Sequence, residues 1–433
     1  MLVEGRSGCR VKEAAMSSEK RIDPEDGKAY AYEELLAYYK GKYKKTEIAS
    51  YWEEVCKPNR KGKGGQGKAK SKAASKAAPK PIEPEMPDAA TGLCVCGEAL
   101  IDFLPCAGKD GEETFRGVCG GSPFNCCVAA QRLQIPVTYL GVLSNDLFGE
   151  KLHKHLEKEG VDMSSIVRLS RPTTLAFVVR SATEGEQYAF FKENAADRAL
   201  KTGDVQRACA GKRFKAVHMS LGAVTLEHDG MQKAFQVFFK RAAAMKALRC
   251  FDPNLRPNMI TGAAEKYSGK IEKLLRSVDL VKASADDAEF LYGADCSMAG
   301  TAAKWLKLGP KLVVFTRGSK GAQAFVQMPD EAEPTSVEIA PPGERPNTVG
   351  ADGKPSPVVD TVGAGDTFMG GLIAGCLGGT DSTGATLLPQ LVDKEAWSES
   401  SMATLKEVIR RAAVCAAITC SRAGADPPTL LEL

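Results

Sequence analysis

Short apolar runs alternate with longer amphipathic stretches through most of the chain after residue 92. The runs have the length of buried strands, and the stretches repeat their apolar residues at helical spacing. Strands and helices in alternation predict an α/β fold with a parallel sheet covered on both faces. The predicted strands are 93–96, 137–143, 216–220, 249–252, 279–283 and 311–316, and the predicted helices are 123–133, 147–158, 228–247, 265–276 and 299–307.

Two further strand-like runs, at 172–181 and 187–193, have no helix between them. They predict a β-hairpin outside the main sheet, because strands joined by a short loop pair antiparallel. After residue 366 the chain is predicted to be mainly helical as far as residue 422.

A compact amphipathic stretch, 28–56, lies within an N-terminal extension that we place at 1–56. Its apolar residues recur at helical spacing, so it predicts a short helical module. A segment this small needs a partner surface, either the rest of the chain or another protein. The residues that carry the spacing are Leu35, Leu36, Tyr39 and Tyr43.

The charge of the chain is concentrated in residues 57–80, which hold nine Lys or Arg and no acidic residue. Without these nine charges the formal net charge of +4 becomes −5. The tract is otherwise mainly Gly, Ala and Ser, which is typical of a flexible linker, and we place that linker at 57–91. No aromatic residue interleaves to stack on bases, so we favour a solvated spacer over a nucleic-acid tether.

Composition narrows the class of protein further. The 433 residues are 43% apolar, enough for a large core, and no run of 18 uncharged apolar residues predicts a membrane span. Fourteen scattered cysteines without a CxxC pair, beside only four histidines, favour reduced thiols over disulfides or a zinc site. The first 21 residues lack the apolar core of a signal peptide and contain three Glu, so we predict a cytoplasmic location rather than a plastid one.

The stretch DTVGAGDTFMGG at 360–371 is the most informative part of the chain for function. Gly363, Ala364 and Gly365 predict a turn that enters a helix with bare N–H groups, which is an anion site. Asp366 puts a carboxylate beside this anion site. That pairing is useful if the carboxylate takes the proton of a hydroxyl that attacks a phosphoryl group, although capping alone also explains an Asp there.

The stretch resembles the C-terminal signature of the ribokinase-like (pfkB) carbohydrate kinases. GGSPFNCCVAAQRL at 120–133 is similar to the family's N-terminal glycine signature, and DPNLRP at 252–257 is most similar to the fructokinase branch. The resemblance covers 92–433 and implies a ribokinase-like three-layer sandwich with a mostly parallel central sheet and a small β lid. It also implies that the strands near 172–193 form this lid, which a second subunit completes in a homodimer.

Asp102 is the first candidate for contact with the sugar. GEALIDF at 97–103 ends a predicted strand, and the main sheet should deliver side chains to a ligand at the carboxyl ends of its strands. An ionised Asp accepts hydrogen bonds from hydroxyl groups. The resemblance assigns this Asp to sugar binding, whereas taken alone it is also typical of a turn.

The glycine signature supplies further candidates for the sugar side. Its glycines allow close backbone approach, and an Asn offers both a donor and an acceptor. The resemblance implies that Gly121 and Asn125 contact sugar hydroxyls. Lys192, in the predicted hairpin, and Arg256, in DPNLRP, are candidates for contact with the sugar or the transferring phosphate.

The nucleotide side is predicted from TRGSKG at 316–321, which follows the strand KLVVF. Its position before GAGD is similar to the family's nucleotide motif, with Thr316, Gly318 and Gly321 near the phosphates. The end of the chain, TCSRAGADPPT at 419–429, resembles the loop that closes over adenine and contains Gly424.

Two acidic residues are candidates for metal binding. KASADDAEFL at 282–291 occupies the place of the family's Asn-x-x-Glu motif, which helps to hold magnesium and phosphate. Ser284 and Asp287 take its two key positions, so Ser284 is a candidate for contact with the nucleotide and Asp287 is the candidate for Mg²⁺. Asp360 takes the position where the family binds a monovalent cation through backbone carbonyls, which leaves potassium activation open.

Together, the motifs and the family resemblance predict an enzyme that transfers the γ-phosphoryl group of MgATP to a sugar hydroxyl. No Walker loop or protein-kinase motif set is present, so phosphate binding rests on the 363–366 backbone, with Asp366 as general base. Fructose, phosphorylated to fructose 6-phosphate, is the expected substrate. Ribose, 2-keto-3-deoxygluconate or a nucleoside are the alternatives within the family, and a catalytically silent interaction protein is the alternative outside it.

Overall fold

The computed structural model of the chain describes residues 20–23, 28–39, 48, 52, 56–58, 90–107, 112–181, 185–220, 229–255, 264–341, 358–379 and 384–433. The chain divides into two compact units, residues 1–80 and residues 81–433. Among the described residues, no helix has both the length and the apolar character that a membrane crossing requires. The cysteines described in the structure are all free thiols, and most of them are buried.

The N-terminal unit combines a short helix with a small sheet. Its elements are β1 (Lys20–Ile22), β2 (Ala29–Ala31), α1 (Tyr32–Tyr38) and β3 (Lys57–Pro58), with the strands in the antiparallel order β2-β1-β3. The predicted helical module at 28–56 contains the helix α1, but its first residues, Ala29–Ala31, are extended instead. Lys57 and Pro58, assigned to the linker from the sequence, belong to a strand.

A small apolar cluster holds this unit together. Leu35, Tyr39 and Trp52 are buried in it, and the Tyr39 hydroxyl donates to the buried Asp23 carboxylate at 2.8 Å. The predicted helical spacing thus puts Leu35 and Tyr39 on the buried face of the module. Tyr43, the last residue of that spacing, lies outside the described residues.

The larger unit alternates strands and helices along the chain. Its strands are β4 (Thr91–Cys96), β5 (Leu100–Ala107), β6 (Glu113–Gly120), β7 (Val137–Leu140), β8 (Val142–Ser144), β9 (Val167–Leu169), β10 (Thr174–Ser181), β11 (Gly185–Phe191), β12 (Phe214–Ser220), β13 (Leu248–Asp252), β14 (Leu280–Ser284), β15 (Leu312–Thr316), β16 (Ala322–Val326) and β17 (Thr335–Ile339). Its helices are α2 (Ser122–Arg132), α3 (Leu147–Lys158), α4 (Thr202–Cys209), α5 (Asp229–Ala244), α6 (Ala264–Leu275), α7 (Ala285–Tyr292), α8 (Met298–Leu308), α9 (Ala364–Cys376), α10 (Leu388–Leu391) and α11 (Glu399–Cys420).

An eight-stranded sheet in the order β17-β16-β15-β14-β13-β12-β4-β7 forms the centre of this unit. The strands from β15 to β7 in this order pair in parallel, whereas β16 pairs antiparallel with both β15 and β17. Each predicted strand is present, except that 137–143 is divided at Gly141 and its second half pairs with β9. The predicted α/β class with a mostly parallel sheet is confirmed.

Helices cover both faces of the sheet, which gives three layers. Alternate residues of one strand enter opposite cores, as Val313 and Val314 of β15 do. Helices α2, α3, α9 and α11 contribute to the core that contains Val314, and α4 to α8 contribute to the other. Close contact of α9 with its neighbours depends on glycine, because a Cβ on Gly370 would lie 2.7 Å from the Cβ of Ala129.

A second sheet, in the order β11-β10-β5-β6, forms the lid of this unit. Strands β10 and β11 are the two strands of the predicted hairpin and pair antiparallel. The sequence did not predict that β5 and β6 would join them. The main-sheet strand β4 ends at Cys96, Gly97 follows with a φ of 153°, and the chain then enters β5. Asp102 therefore lies on a lid strand, not at the carboxyl end of a main-sheet strand as we expected.

Candidate active site

The turn before α9 presents backbone amides to a cavity, as its composition predicts. Gly363 is the N-cap residue and takes the left-handed conformation, with a φ of 75°. The Ala364 amide donates to the Thr361 carbonyl at 3.2 Å, so this amide is occupied. The amides of Gly363, Gly365 and Asp366 have no partner among the described residues, and together with the helix dipole they favour an anion.

Asp366 is held by two side-chain amides that come from distant parts of the chain. Asn125, in the first turn of α2, donates from Nδ2 to Oδ2 of Asp366 at 2.9 Å. Asn254, two residues after β13, donates from Nδ2 to Oδ1 at 3.2 Å. Asn254 adopts a φ of 39°, which Asn tolerates better than most residues do, and this backbone turns its amide towards Asp366. The carboxylate is therefore buried and fixed in direction.

A buried ion pair lies beside the turn. Lys282, the third residue of β14, donates from Nζ to Oδ2 of Asp252, the last residue of β13, at 2.9 Å. The two side chains are 5% and 1% exposed. A Cβ on Gly365 would lie 3.1 Å from the Lys282 Nζ, so the ammonium group directly adjoins the start of α9.

The charges of this pair are set by its neighbours. Burial raises the pKa of Asp252 to about 6, against the opposing effect of Lys282. Burial also disfavours the charged form of Lys282, but the carboxylates of Asp252, Asp366 and Asp287 outweigh it and raise its pKa. The two groups therefore form a buried ion pair, and its ammonium lies close to the unpartnered amides.

The lid brings Asp102 to the same cavity. Asp102 pairs with Val118 across β6 and with Ala176 across β10, and it is 7% exposed. Its carboxylate lies over Gly120, where an added Cβ would be 1.9 Å from Asp102 Oδ2. Gly121, with a φ of 106°, then begins α2. The first glycine of the signature therefore makes room for Asp102, and the second turns the chain into the helix that carries Asn125.

A second carboxylate on the lid side is buried and hydrogen bonded. The Thr174 hydroxyl of β10 donates to Oδ1 of Asp197 at 2.6 Å. Burial raises the pKa of Asp197 to about 6, although this hydrogen bond and the nearby Arg198 oppose the rise. Phe190 and Lys192, at the end of β11, line the same part of the cavity. Arg256, the other predicted cation, lies outside the described residues.

On the predicted nucleotide side, Ser284 and Asp287 cap α7 and fix each other. The Ser284 hydroxyl accepts from the Asp287 amide at 3.0 Å, and Oδ2 of Asp287 accepts from the Ser284 amide at 2.8 Å. Oδ1 of Asp287 accepts from the Leu255 amide, also at 2.8 Å. Ser284 is paired in register with Thr316 on β15, and both residues line the cavity.

Three other predicted residues, all glycines, have roles in the conformation and packing of the backbone around the site. Gly321 is required by packing, because an added Cβ would lie 2.1 Å from the Ile339 carbonyl oxygen. Gly318 occupies an exposed turn with a φ of 53°. The Gly424 amide donates to Oδ2 of Asp360 at 2.9 Å. Among the residues described, neither these three glycines nor Asp360 line the cavity.

The cavity has a volume of about 250 Å³ and is lined by residues from several separate parts of the chain. It brings together Asp102, Gly121, Asn125, Lys192, Ser284, Asp287, Thr316, Gly363, Gly365 and Asp366, all predicted from the sequence. It also contains residues that sequence reasoning missed, chiefly Asn254, Lys282, Thr174 and Asp197. One signal for Lys282 was available, since a lysine in the middle of a five-residue apolar strand needs a buried counter-ion.

The acidic side chains near the turn do not form a metal cage. Within the part of the chain that the structure describes, no group of three or more His, Cys, Asp or Glu is arranged to hold a metal ion. Asp287 already accepts two amide hydrogen bonds, which leaves it further lone pairs but no chelating partner. This arrangement fits Mg²⁺ that is held mainly by phosphate and water, which is its usual mode in phosphoryl-transfer sites.

An anion site, a fixed carboxylate and a lid over one cavity define an α/β protein of the phosphoryl-transfer class. Comparison with known proteins makes this class specific. The family described as pfkB family carbohydrate kinase matches residues 90–431. A fructokinase of Rhizobium leguminosarum bv. trifolii is 34% identical over 282 residues, which are 65% of this chain and 78% of the relative.

Two further comparisons extend the coverage. Fructokinase-2 of Solanum lycopersicum is 30% identical over 349 residues, which are 79% of this chain and 95% of the relative. The crystal structure of fructokinase with bound ATP from Xylella fastidiosa superimposes with a TM-score of 0.60 at 23% identity, covering 78% of this chain and 96% of that one. The fold is ribokinase-like, and the chain belongs to the pfkB family of carbohydrate kinases.

Proposed function

We propose that the protein transfers the γ-phosphoryl group of ATP to a hydroxyl group of fructose, giving fructose 6-phosphate. The observation that carries the proposal is the Asp366 carboxylate, which two amides hold at the mouth of an amide-lined turn. A carboxylate that faces an anion site is unfavourable for simple phosphate binding. It is useful when a hydroxyl must lose its proton as it attacks phosphorus.

Asp366 acts as the general base in this mechanism. The substrate hydroxyl gives its proton to Asp366 while its oxygen forms the new bond to the γ-phosphorus, and the bond from that phosphorus to the bridging oxygen of ADP breaks. Asn125 and Asn254 keep the carboxylate pointing at the hydroxyl, and such orientation accounts for a large part of the barrier lowering in enzymes. Asp102 and the first turn of α2 position the sugar.

The turn and Lys282 stabilise charge on the moving phosphoryl group. The amides of Gly363, Gly365 and Asp366 are fixed before reaction, so they need no reorganisation when charge develops. The ammonium of Lys282 adjoins Gly365 and adds a full positive charge at the same place. Preorganised donors of this kind contribute on the order of 3 kcal/mol each in mutational studies.

Mg²⁺ would be held on the side of Ser284 and Asp287, through water and phosphate oxygens, and would neutralise part of the phosphate charge. The site of a monovalent cation at Asp360 is also part of the proposal. Oδ1 of Asp360 accepts from the Val362 amide at 3.0 Å and Oδ2 from the Gly424 amide, so this side chain organises the backbone around the turn. Potassium binding would then depend on carbonyl oxygens there.

Fructose is proposed because the curated relatives at 30% to 34% identity are named fructokinases. The sugar end of the cavity offers hydrogen-bonding groups of both kinds, since Asp102, Thr174 and Lys192 all line it. Ribose, 2-keto-3-deoxygluconate and nucleosides remain the competing substrates. The two lid-side cations Lys192 and Arg198 would suit the carboxylate of a sugar acid.

The test is release of ADP from MgATP by the purified full chain with fructose, glucose, ribose, 2-keto-3-deoxygluconate or adenosine. Asp366→Asn is the matched blank, because it keeps the side-chain shape and removes the basic carboxylate. We expect fructose-dependent release that falls by several orders of magnitude in the variant, with sugar binding retained. Activity on another member of the panel would replace the substrate, and silence on all of them would favour a non-catalytic role.

A homodimer through the lid is also proposed. Phe115, Val179 and Phe191 are 38%, 45% and 65% exposed, and the ring of Phe177 contacts those of Phe115 and Phe191. Such an exposed apolar group is typical of an interaction surface. Light scattering should give the mass of a dimer that Phe191→Glu dissociates, and a wild-type monomer at assay concentration would contradict it.

The domain division remains a proposal as well. We propose that residues 92–433 form the kinase domain and that 1–91 is an extension that catalysis does not need. A cytoplasmic location belongs to the same proposal. Deletion of residues 1–89, which precede the family match at 90–431, should leave turnover unchanged, and a loss of turnover would assign the extension a catalytic role.

A further inference from the structure

We propose that Arg132 is a positioning residue for the nucleotide, acting through the loop at the end of the chain. Arg132 is the last residue of α2, the helix whose first turn carries Asn125. Its guanidinium group bridges two segments that are far apart in sequence. The inference rests on the proposed function, because it assumes that the turn at 363–366 binds the phosphates of a nucleotide.

One edge of the guanidinium is fixed by the main body of the domain. Nε donates to Oε2 of Glu159 at 2.9 Å and Nη2 donates to Oε1 at 2.8 Å, which is a bidentate pair. Glu159 directly follows α3, and its bonds to Arg132 lower the pKa of its carboxyl group. A planar guanidinium held in this way has its remaining amino group aimed in one direction.

That remaining group holds the C-terminal loop, residues 421–429. Nη1 of Arg132 donates to Oδ1 of Asp426 and to the carbonyl oxygen of Pro427, both at 2.6 Å. Arg422 reinforces the loop from within, since its Nη1 donates to the Pro427 carbonyl at 3.3 Å. Both arginines thus converge on one short stretch of the loop backbone.

The same loop packs directly against the catalytic turn. The Gly424 amide donates to Oδ2 of Asp360, which is three residues before the N-cap of α9. A Cβ on Gly363 would lie 2.3 Å from the Cβ of Ala425, so the loop presses on the N-cap residue itself. The position of the loop therefore constrains the amides that face the phosphates.

Only arginine can make these contacts together. A lysine at the same position could reach either Glu159 or the loop, but it lacks the fork that serves both. Loss of Arg132 should allow the loop to move away from Gly363, against which it packs. The consequence is weaker binding of the phosphate group at the turn, with little change at the sugar end of the cavity or at Asp366.

The experiment compares KM for MgATP, KM for the sugar and kcat in Arg132→Ala, Asp426→Asn and the double variant. We expect Arg132→Ala to raise the KM for ATP about five- to tenfold and to lower kcat by no more than a similar factor, with the sugar KM nearly unchanged, because the same turn binds the phosphates and stabilises the moving phosphoryl group. The double variant should be no worse than Arg132→Ala alone, because both changes break the same connection. Asp426 is half exposed, so its variant covers the case in which Arg132→Ala does not fold.

Arg249→Ala is the matched control for loss of a bidentate ion pair. Arg249 binds Asp279 through Nε and Nη2, and their side chains are 25% and 10% exposed, against 21% and 11% for Arg132 and Glu159. Arg249 lies at the start of β13, whose opposite end carries the site. A similar rise of the ATP KM in this control, or no rise in Arg132→Ala, would overturn the inference.

Calorimetric titration with ADP separates this inference from the proposed function. A wild-type protein that binds ADP but phosphorylates no sugar would remove the proposed reaction, and weaker ADP binding by Arg132→Ala would still support the positioning role. Equal ADP affinity in the wild type and Arg132→Ala would remove the positioning role. A wild type that binds no ADP would remove both.

Discussion

Replacement of Lys282 by methionine tests whether the buried cation contributes to catalysis or only balances a buried carboxylate. The Nζ of Lys282 lies 2.9 Å from Asp252 and adjoins Gly365, so both roles are compatible with its position. Methionine keeps most of the side-chain volume and removes the charge. If the ammonium stabilises the moving phosphoryl group, kcat should fall about 10²- to 10³-fold, as for other preorganised charge-stabilising donors.

The single variant alone does not distinguish the catalytic role from the charge-balancing role, because it leaves Asp252 buried without a counter-ion. Breaking a buried ion pair costs about 3–5 kcal/mol of stability. Asp252 can relieve part of this cost by taking up a proton, since its pKa is already about 6. The variant is therefore expected to melt at a lower temperature, and part of any loss of activity would reflect that destabilisation.

The double variant Asp252→Asn/Lys282→Met separates the two effects. It removes both charges and keeps a side-chain oxygen at position 252 that can accept from the backbone amide of Asn254, a bond that measures 3.0 Å in the wild type. Exchanging a whole buried pair for neutral groups is often neutral for stability, so the melting temperature should return close to that of the wild type. The assay is sugar-dependent ADP release at saturating substrates, with a thermal melt of each variant. A double variant with restored stability and a kcat within about threefold of the wild type would refute the catalytic role.

Three further changes test the geometry of the site. Gly365→Ala should preserve or slightly raise the melting temperature, because alanine favours helix, yet lower kcat about tenfold by displacing the Lys282 ammonium that lies 3.1 Å from the new Cβ; unchanged kcat would contradict this. Asp197→Asn should stabilise the protein by at most about 3 kcal/mol above pH 6. The folded state keeps a proton on Asp197 up to a pKa of about 6, against an ordinary 3.8. Between these values the unfolded state loses the proton and the folded state keeps it, so the wild type loses stability as pH rises through this window; thermal melts should show the gain at about pH 7.5 and its loss near pH 4, and an equal gain at both would refute the assignment. Gly120→Ala should raise the sugar KM with kcat less affected, since the new Cβ would lie 1.9 Å from the Asp102 carboxylate; an unchanged sugar KM would remove Asp102 from sugar binding.

Local sequence patterns were sufficient for the main sheet and for the turn before α9. The apolar runs that became β12 to β15 are bounded by helices with regular spacing, and periodicity alone predicts such elements. The turn was predictable because its conformation depends on the backbone of a few consecutive residues. Neither feature depends on which distant segment lies alongside.

The placement of Asp102 at the carboxyl end of a main-sheet strand was wrong because the same alternation describes a main-sheet strand and a lid strand. The two kinds of strand differ in the strands with which they pair. Strand β5 pairs with β6 and with β10, which begins at Thr174. Lys282 was missed for a related reason, since its counter-ion Asp252 is 30 residues earlier on the neighbouring strand. Contacts across parallel strands depend on register and strand order, which single-sequence periodicity does not contain.

The surroundings of the carboxylates near the turn differ in ways that bear on the proposed role of base. Asp252 is paired with a buried ammonium, and both oxygens of Asp287 accept backbone amides, one of which belongs to the cap of α7. These two carboxylates are thus part of an ion pair and of a helix cap. Asp366 accepts hydrogen bonds from two neutral side-chain amides, which orient it, and its charge also favours the nearby ammonium of Lys282. Among the described residues, the proposed base is therefore a carboxylate whose orientation is fixed by side-chain amides and not by a helix cap.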